Sequence, residues 1–401
     1  MEVLILTEKQ TNLFHEITKP ITELIKDQKI IHGEDSGKKL FFQRFVRLLL
    51  YFYLQGIDSL RSLITDLNTK DHIFEIDLIP IGLSTIHDAF HRYSISLFQV
   101  IYVRLLKQFP VYAIEEFKEL GRFVISDGSI FPMAIYNIWA EFRKKSRALK
   151  LHLHFELNLM IPTCFMATDG KSDERKVLLT MIEKAVTYIA DRGYLSFDFF
   201  KGIIDKEAHF IIRVRNNLIY QVKEQLPVVL NETVKCIFFK VTDELVLFEV
   251  DKHQLIYRRI SFCTKHTWFV LVTNRLDLTT YQIIKLYALR WQVELFFRYF
   301  KRTLNGIHIL NNSHNGVTIQ FYVILIVNLL LMRYKRMQML SPSFHQKVNH
   351  SRAQLCIFGS SEDWVKTLGK QIPEHFKIKK QEMNAIRNSL FKTTQLAFDF
   401  F

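Results

Sequence analysis

The stretch KLHLHFELNLMIPTCFMATDG, Lys150–Gly170, decides how we interpret the fold. Its first half alternates strictly between apolar and polar side chains, which is the pattern of a β-strand with one buried face. Its second half is apolar and ends in the turn-forming pair Asp169-Gly170, so it predicts the hairpin partner of the first strand. His152 and His154 fall on the polar side of the alternation, and we expect them to face solvent rather than bind a ligand.

Apolar strands and amphipathic helices alternate around this hairpin. The apolar run FVISD, Phe123–Asp127, precedes it, and AVTYIADRGY and FIIRVR follow it as two further strands. A helical period appears in the segments between these strands, DERKVLLTMIEKA and SFDFFKGIIDKEA. The order of three strands, helix, strand, helix, strand predicts an α/β fold with a mixed sheet flanked by helices.

The regions outside this core differ in character. Residues 1–120 predict helices, which form either a structural subdomain or, less strongly indicated, a helix-turn-helix. Residues 217–275 are rich in β-forming segments and predict an insertion of strands, namely VKCIFFKV, LVLFEV, QLIYRRISFC and WFVLVTN. Residues 276–335 return to a helical pattern, and the tail, 336–401, is basic and less regular.

Composition limits the class of partner and the compartment. The net charge of +14 is carried beyond residue 120, because residues 1–120 hold slightly more acids than bases. A basic middle and tail favour nucleic acid as the partner before a membrane, although a merely basic soluble protein is the alternative. The four cysteines lack metal-binding spacing and no signal peptide is evident, so we expect a reducing compartment without zinc or disulfides. The apolar run Val317–Met332 is short for a membrane span, and we expect a buried core helix.

Three acids and one amphipathic segment carry the candidate chemistry. Asp127 and Asp191 each end an apolar run, where a side chain projects from the edge of a sheet. A single helix through YALRWQVELFFRYFK, Tyr287–Lys301, would place four polar side chains within about 60° of one another. These four are Tyr287, Arg290, Glu294 and Lys301.

This group of four polar side chains has two interpretations. Arg290 and Glu294 are four residues apart, so a local ion pair explains these two residues at little cost. A metal site explains more, because three carboxylates can hold two Mg²⁺ or Mn²⁺ ions for phosphoryl displacement. The neighbouring cations and the phenol would then bind DNA phosphates.

The spacing Tyr-x2-Arg-x3-Glu-x6-Lys resembles the signature of DDE transposases in the fourth insertion-sequence family. The contexts VISDGS around Asp127 and IADRGY around Asp191 resemble that family too, and the likeness covers roughly residues 120–335. It implies a ribonuclease H-like catalytic domain formed by residues 121–216 and 276–335. In that family a β-strand insertion interrupts the catalytic domain, as residues 217–275 would do here.

The resemblance also implies a role for each matching residue. The catalytic metal ligands, for two Mg²⁺ or Mn²⁺ ions, would be Asp127, Asp191 and Glu294. The phosphates near the cleaved end would be bound by Tyr287, Arg290 and Lys301. Because related enzymes stack an aromatic side chain of the insertion on a flipped base, Trp268 is the candidate for that contact, with Phe269 next.

These features together predict a bacterial DNA transposase that cuts at element ends and joins them to target DNA. Its partners would be double-stranded DNA, both terminal inverted repeats and target, and a second copy of the chain, with no membrane. We expect a cytoplasmic, nucleoid-associated protein. The basic runs RKKSR, Arg143–Arg147, and KIKK, Lys377–Lys380, are candidates for DNA contact, and the tail also for dimerisation. The alternatives are a hydrolytic nuclease on the same fold and a domesticated DNA-binding protein without catalysis.

Overall fold

The computed structural model describes residues 2–26, 38–108, 117, 119–134, 137–143, 146–230, 238–264, 267–302, 304 and 306–339. The predictions for Lys144, Lys145 and the tail beyond residue 339, including KIKK, lie outside these residues. The described residues form two compact units. The first contains residues up to Pro110 and those from Phe297 onward, and the second lies within Val111–Phe296.

The first unit is built from helices. They are α1 (Glu2–Lys26), α2 (Phe42–Leu54), α3 (Leu60–Thr69), α4 (Leu83–Arg92), α5 (Ile95–Lys107) and α10 (His314–Met339). The Ser59 side chain caps α3 by accepting a hydrogen bond from the amide of Ser62, which satisfies a donor that the helix leaves unpaired. Aromatic rings fill the core, where Phe45 contacts Phe90, Tyr93 and Phe98.

The helix α10 contains the apolar run predicted to be a core helix. Among the described residues it is the one helix long and apolar enough to cross a membrane, judged by length and composition. Its most apolar part, His314–Tyr334, is 89% buried inside the protein. Asn315 donates hydrogen bonds to the carbonyl groups of Phe90 and Tyr93, which ties the start of this helix to α4. The burial confirms the prediction of a core helix.

The second unit is organised around one mixed sheet of ten strands. They are β1 (Arg122–Met133), β2 (Glu141–Arg143), β3 (Ser146–Glu156), β4 (Ile161–Asp169), β5 (Val186–Ala190), β6 (His209–Arg213), β7 (Tyr220–Gln225), β8 (Phe239–Phe248), β9 (Ile256–Cys263) and β10 (Trp268–Thr273). The order across the sheet is β2-β3-β1-β5-β6-β10-β9-β8-β7, and β4 also pairs with β3. The pairs β1–β5 and β5–β6 are parallel, and the other neighbours are antiparallel. The predicted β3–β4 hairpin is confirmed, and β7 to β10 continue the same sheet.

Helices α6 (Glu174–Met181), α7 (Phe197–Asp205), α8 (Thr280–Ala288) and α9 (Trp291–Arg302) flank this sheet. One apolar core joins Leu178 of α6 and Phe200 of α7 to alternate sheet residues such as Tyr188 and Val270. On the other face, Phe155 of β3 contacts Phe296 of α9, with ring centroids 5.8 Å apart. Both faces are therefore covered, which confirms the predicted α/β arrangement of a mixed sheet flanked by helices.

The exposure predicted for His152 and His154 is wrong, because only 4% and 3% of these residues are exposed. Alternation in β3 therefore marks two buried faces of different polarity rather than one buried and one solvated face. Burial lowers the pKa of His152 to about 4 and that of His154 to about 3, so both rings stay neutral at physiological pH. The ring of His154 lies beside that of Tyr188, at a centroid distance of 5.4 Å.

Two further expectations about element boundaries are corrected. The strand β1 does not end at Asp127 but continues to Met133, because its second half pairs with β3 from Leu153 back to Arg147. The predicted single helix from Tyr287 to Lys301 is two helices, since α8 ends at Ala288 and α9 begins at Trp291. Hydrogen bonds between residues three apart tighten the chain there, from the amides of Arg290 and Val293 to the carbonyls of Tyr287 and Arg290.

Candidate active site

Asp127 on β1 and Asp191, the residue just after β5, lie side by side where two parallel strands are neighbours. Ile125 of β1 pairs with Ile189 of β5, and continuing this register by two residues sets Asp127 opposite Asp191. Adjacent strands are about 4.8 Å apart, so the two carboxyl groups leave the same face of the sheet close together. The Asp127 carboxylate accepts a hydrogen bond from the amide of Gly128 at 2.8 Å. The expected meeting of these two aspartates follows from parallel pairing rather than from a common strand end.

A tight turn after β5 fixes Asp191. Its carboxylate accepts a hydrogen bond from the Gly193 amide at 2.7 Å and so caps a short 3-10 helix, Arg192–Tyr194. A Cβ atom at position 193 would lie 3.0 Å from this carboxylate oxygen. Glycine therefore allows the backbone to approach the acid closely.

Glu294 reaches the same place from the helix α9. Its carboxylate accepts a hydrogen bond from the Arg290 guanidinium at 2.6 Å, in an ion pair four residues apart. Arg290 also interacts electrostatically with Asp127, as Glu294 does. The local ion pair is thus present, and Asp191, Glu294 and Arg290 all lie near enough to Asp127 to act on it electrostatically.

The pKa of Asp127 reflects its burial and the charged groups near it. The pKa of Asp127 is raised to about 7, chiefly by burial and also by the negative charges of Asp191 and Glu294. The Gly128 amide and the positive charge of Arg290 act in the opposite direction but do not offset the burial. The ionised form of Asp127 is consequently costly in the protein as it stands, and any cation bound beside it would lower that cost.

Tyr287 and Lys301 are placed differently from each other. Tyr287, at the end of α8, is only 7% exposed, and burial raises the pKa of its hydroxyl. It interacts with Arg290 and with Arg213 at the end of β6. Lys301 lies seven residues after Glu294 on α9, in the part of the chain assigned to the first unit.

The three carboxylates supply only oxygen donors, the ligand type that Mg²⁺ and Mn²⁺ prefer. Within the described residues, no group of three or more His, Cys, Asp or Glu side chains already has an arrangement that could hold a metal ion. Glu294 is engaged by Arg290, which provides the positive charge near the acids. The oxygen donors of the three carboxylates therefore suit a divalent cation. As the side chains stand, the positive charge beside Glu294 comes from Arg290.

Trp268 is not brought together with the carboxylates. It is 40% exposed at the start of β10, and strand alternation places it on the same face as Val270 and Val272. Those valines pack in the core formed with α6 and α7, on the face opposite to Asp127. Phe269, the second candidate, alternates onto the face of Asp127 but is only 4% exposed.

A buried polar network that the sequence reasoning missed anchors the start of α8. The Arg258 guanidinium donates two hydrogen bonds to the Asp243 carboxylate, at 2.8 and 2.7 Å, and two more to the carbonyls of Arg275 and Leu278. The Thr280 hydroxyl donates to the same carboxylate at 2.8 Å. The strands β8 and β9 thereby position α8, the helix that contains Tyr287. The alternation of apolar and polar residues could not reveal this network, because Asp243 and Arg258 both interrupt apolar strands.

Comparisons with known proteins all point to transposases. A family model described as "Transposase DDE domain" matches residues 120–330, just over half of the chain. The matched range includes all six polar residues of the predicted site.

Three curated relatives carry transposase names. "Putative transposase y4zB" of Sinorhizobium fredii is 25% identical over 260 residues, or 62% of this chain and 70% of that protein. "Probable transposase for insertion sequence element IS5377" of Geobacillus stearothermophilus is 23% identical over 196 residues, or 48% and 51%. "Putative transposase for insertion sequence element IS4SA" of Synechocystis is 21% identical over 337 residues, or 81% and 91%.

Proposed function

The chain belongs to the transposase DDE domain family, and on this premise we propose that it is a DNA transposase that cuts element ends and joins them to target DNA. The observation that carries the proposal is the convergence of three acids from distant parts of the chain. Asp127 and Asp191 lie in one row of the sheet, and Glu294 acts electrostatically on Asp127. A family assignment alone would not require these particular carboxylates to meet.

Within the family, we place the chain with the fourth insertion-sequence group. The support is the spacing of Tyr287, Arg290, Glu294 and Lys301 together with both aspartate contexts. The ribonuclease H-like domain would comprise residues 121–216 and 276–335, with residues 217–275 as its insertion. The support is that the strands of residues 121–216 and those of residues 217–275 share one sheet, and that α8 from the second part packs on β5 and β6.

The proposed metal ligands are Asp127, Asp191 and Glu294. Two bound Mg²⁺ or Mn²⁺ ions would activate the attacking water or hydroxyl and stabilise the leaving oxygen. Arg290 keeps Glu294 oriented towards the aspartates through its ion pair and offsets their repulsion. Proximity to a cation would make the ionised form of Asp127 the favoured one at neutral pH.

The proposed DNA contacts come from the signature residues and from the insertion. Arg290 and Lys301 provide charge for phosphates near the cleaved end, and Tyr287 provides a hydroxyl beside Arg290. Trp268, being partly exposed at the tip of the β9–β10 hairpin, is available to stack on a base. The role of Trp268 requires the DNA to reach the opposite face of the sheet, so it is the most demanding part of the proposal.

Two element ends must be brought together before joining, so we propose a homodimer on double-stranded DNA with terminal inverted repeats. The helical region 1–120 and the basic region 336–401 are the parts available for DNA recognition or dimer contact. Such a protein would act in the bacterial cytoplasm at the nucleoid.

The test is cleavage and joining of duplexes that carry the boundaries of the element encoding this chain. We expect metal-dependent nicking by the parent and none by Asp127→Ala, Asp191→Ala or Glu294→Ala. Asp198→Ala is the matched control, because Asp198 is an exposed acid paired with Lys252 and His253 on the same unit. If the three site variants nick DNA at the parental rate, the proposed active site is refuted.

A second assay separates a transposase from a hydrolytic nuclease. Pre-cut ends with a free 3′ hydroxyl are incubated with target DNA, and a transposase joins the two molecules. A nuclease cuts without joining, and a domesticated DNA-binding protein does neither.

A further inference from the structure

Arg213 is the last residue of β6 and extends the row of aspartates across the sheet. Ala190 of β5 pairs with Ile212 of β6, so one further residue sets Asp191 opposite Arg213. Asp127, Asp191 and Arg213 therefore occupy consecutive positions on three neighbouring parallel strands and leave the same face. A cation thus follows two acids in this row, although it lies outside the signature spacing around Glu294.

The guanidinium of Arg213 is held in place from two sides. Its Nη2 donates a hydrogen bond to the Trp268 carbonyl at 3.3 Å, and its central carbon lies 4.2 Å from the centroid of the Phe269 ring. That ring stacks on Phe262 at 5.1 Å with an interplanar angle of 7°. A guanidinium stacked on a ring by one face retains N–H donors along its edge for a planar anion.

Two other arginines act on Arg213. Burial and the guanidinium groups of Arg192 and Arg290 lower the pKa of Arg213, and the Tyr287 hydroxyl acts in the opposite direction. Within the described part of the chain, no carboxylate forms an ion pair with Arg213. Three arginines thus share a small region in which Glu294 pairs with only one of them, Arg290. An anion bound there would offset both the repulsion and the loss of hydration.

We propose that Arg213 binds a backbone phosphate of the DNA strand whose neighbouring phosphodiester lies at Asp127 and Asp191. The inference rests on the proposed function and adds a phosphate contact from the sheet to those from the helix α9. The strand would cross the middle of β1 at Asp127 and the C-terminal ends of β5 and β6, so that one phosphate faces the acids and the next faces the arginine. The planar edge of the guanidinium suits two oxygens of one phosphate.

The salt dependence of DNA binding tests this contact. Each phosphate neutralised by a cationic side chain contributes about 0.9 to the slope of log affinity against log salt concentration. With boundary duplexes and the full chain, we expect Arg213→Gln to lower that slope by about 0.9 and to weaken binding about tenfold. Lys184→Gln is the control, because Lys184 is an exposed cation of the same unit just before β5, at the opposite edge of the sheet. Its slope should equal the parental slope.

The variant Arg213→Lys separates charge from shape. It keeps the positive charge, so the salt slope should remain parental, but it loses the planar donor edge, so cleavage at saturating DNA should slow about tenfold. This variant decides the matter if Arg213→Gln fails to fold by circular dichroism. A parental salt slope in folded Arg213→Gln, or parental cleavage by Arg213→Lys, overturns the inference. A parent chain that neither binds nor cleaves boundary duplexes overturns the proposed function itself.

Discussion

Replacing Asp127 by asparagine should stabilise the metal-free protein at neutral and alkaline pH. The pKa of Asp127 rises from its ordinary 3.8 to about 7 in the folded chain, chiefly through burial. The folded state therefore holds this proton more tightly than the unfolded state does. The resulting stability is fully present below pH 3.8 and is lost as the pH rises to about 7. Asparagine has a similar shape and no charge, so it avoids this loss.

The magnitude follows from the same shift. A tenfold change in acidity corresponds to about 1.4 kcal/mol, so a pKa raised from 3.8 to about 7 corresponds to a cost of about 4 kcal/mol for the ionised acid. The side chain is partly accessible to solvent, and water screens part of the cost. We therefore expect Asp127→Asn to raise the free energy of unfolding by about 2 kcal/mol at pH 8.

Hydrogen exchange measures this change in the second unit alone. Peptides from β1 and β5 are followed by mass spectrometry with a chelator at pH 5 and pH 8, after correction for intrinsic exchange rates. The free energy of opening should be higher in Asp127→Asn than in the parent, and this difference should be larger at pH 8 than at pH 5. Asp198→Asn is the control, because Lys252 and His253 lower the pKa of Asp198 and no gain is expected. A metal-free Asp127→Asn protein that opens as readily as the parent at pH 8 would refute the reasoning.

Three other predictions concern neighbouring parts of the site. Gly193→Ala should leave unfolding unchanged to within about 1 kcal/mol but reduce metal-dependent nicking, because the new Cβ would press on the Asp191 carboxylate; parental nicking would contradict this. Asp243→Leu should cost about 3–5 kcal/mol by leaving Arg258 buried and unpaired, whereas adding Arg258→Met should recover most of it in urea denaturation. If single and double variants unfold alike, the pair is not coupled. Lys301→Ala should weaken binding to boundary DNA and lower its salt slope by about 0.9, and an unchanged slope would exclude a phosphate contact.

Local patterns in the sequence predicted the elements well where a residue's neighbours in the chain decide its environment. The alternation in β3 and the apolar run of α10 are examples, and both elements form. Exposure was harder to predict, because the covering of a strand depends on helices that lie elsewhere in the chain. His152 and His154 looked solvated for that reason, although the sheet is covered on both faces.

The candidate site likewise combines residues that local sequence could indicate with residues whose placement depends on distant parts of the chain. Asp127 and Asp191 could be chosen from their positions in apolar runs, and spacing drew attention to Arg290 and Glu294. Arg213 could not be found in this way, because its relation to the acids appears only when β6 pairs with β5. The side of the sheet on which Trp268 lies depends likewise on the register of β10, which chain spacing does not reveal.

The chain order of the three acids has a consequence for the growing polypeptide. Glu294 follows Asp191 by about a hundred residues in the chain. At about 5–20 residues added per second, a ribosome needs roughly 5–20 s to make that interval. A nascent chain would carry both aspartates without the glutamate throughout this time. With these three acids as the proposed metal ligands, a chain that is still being translated beside its gene cannot assemble the site until Glu294 has been added.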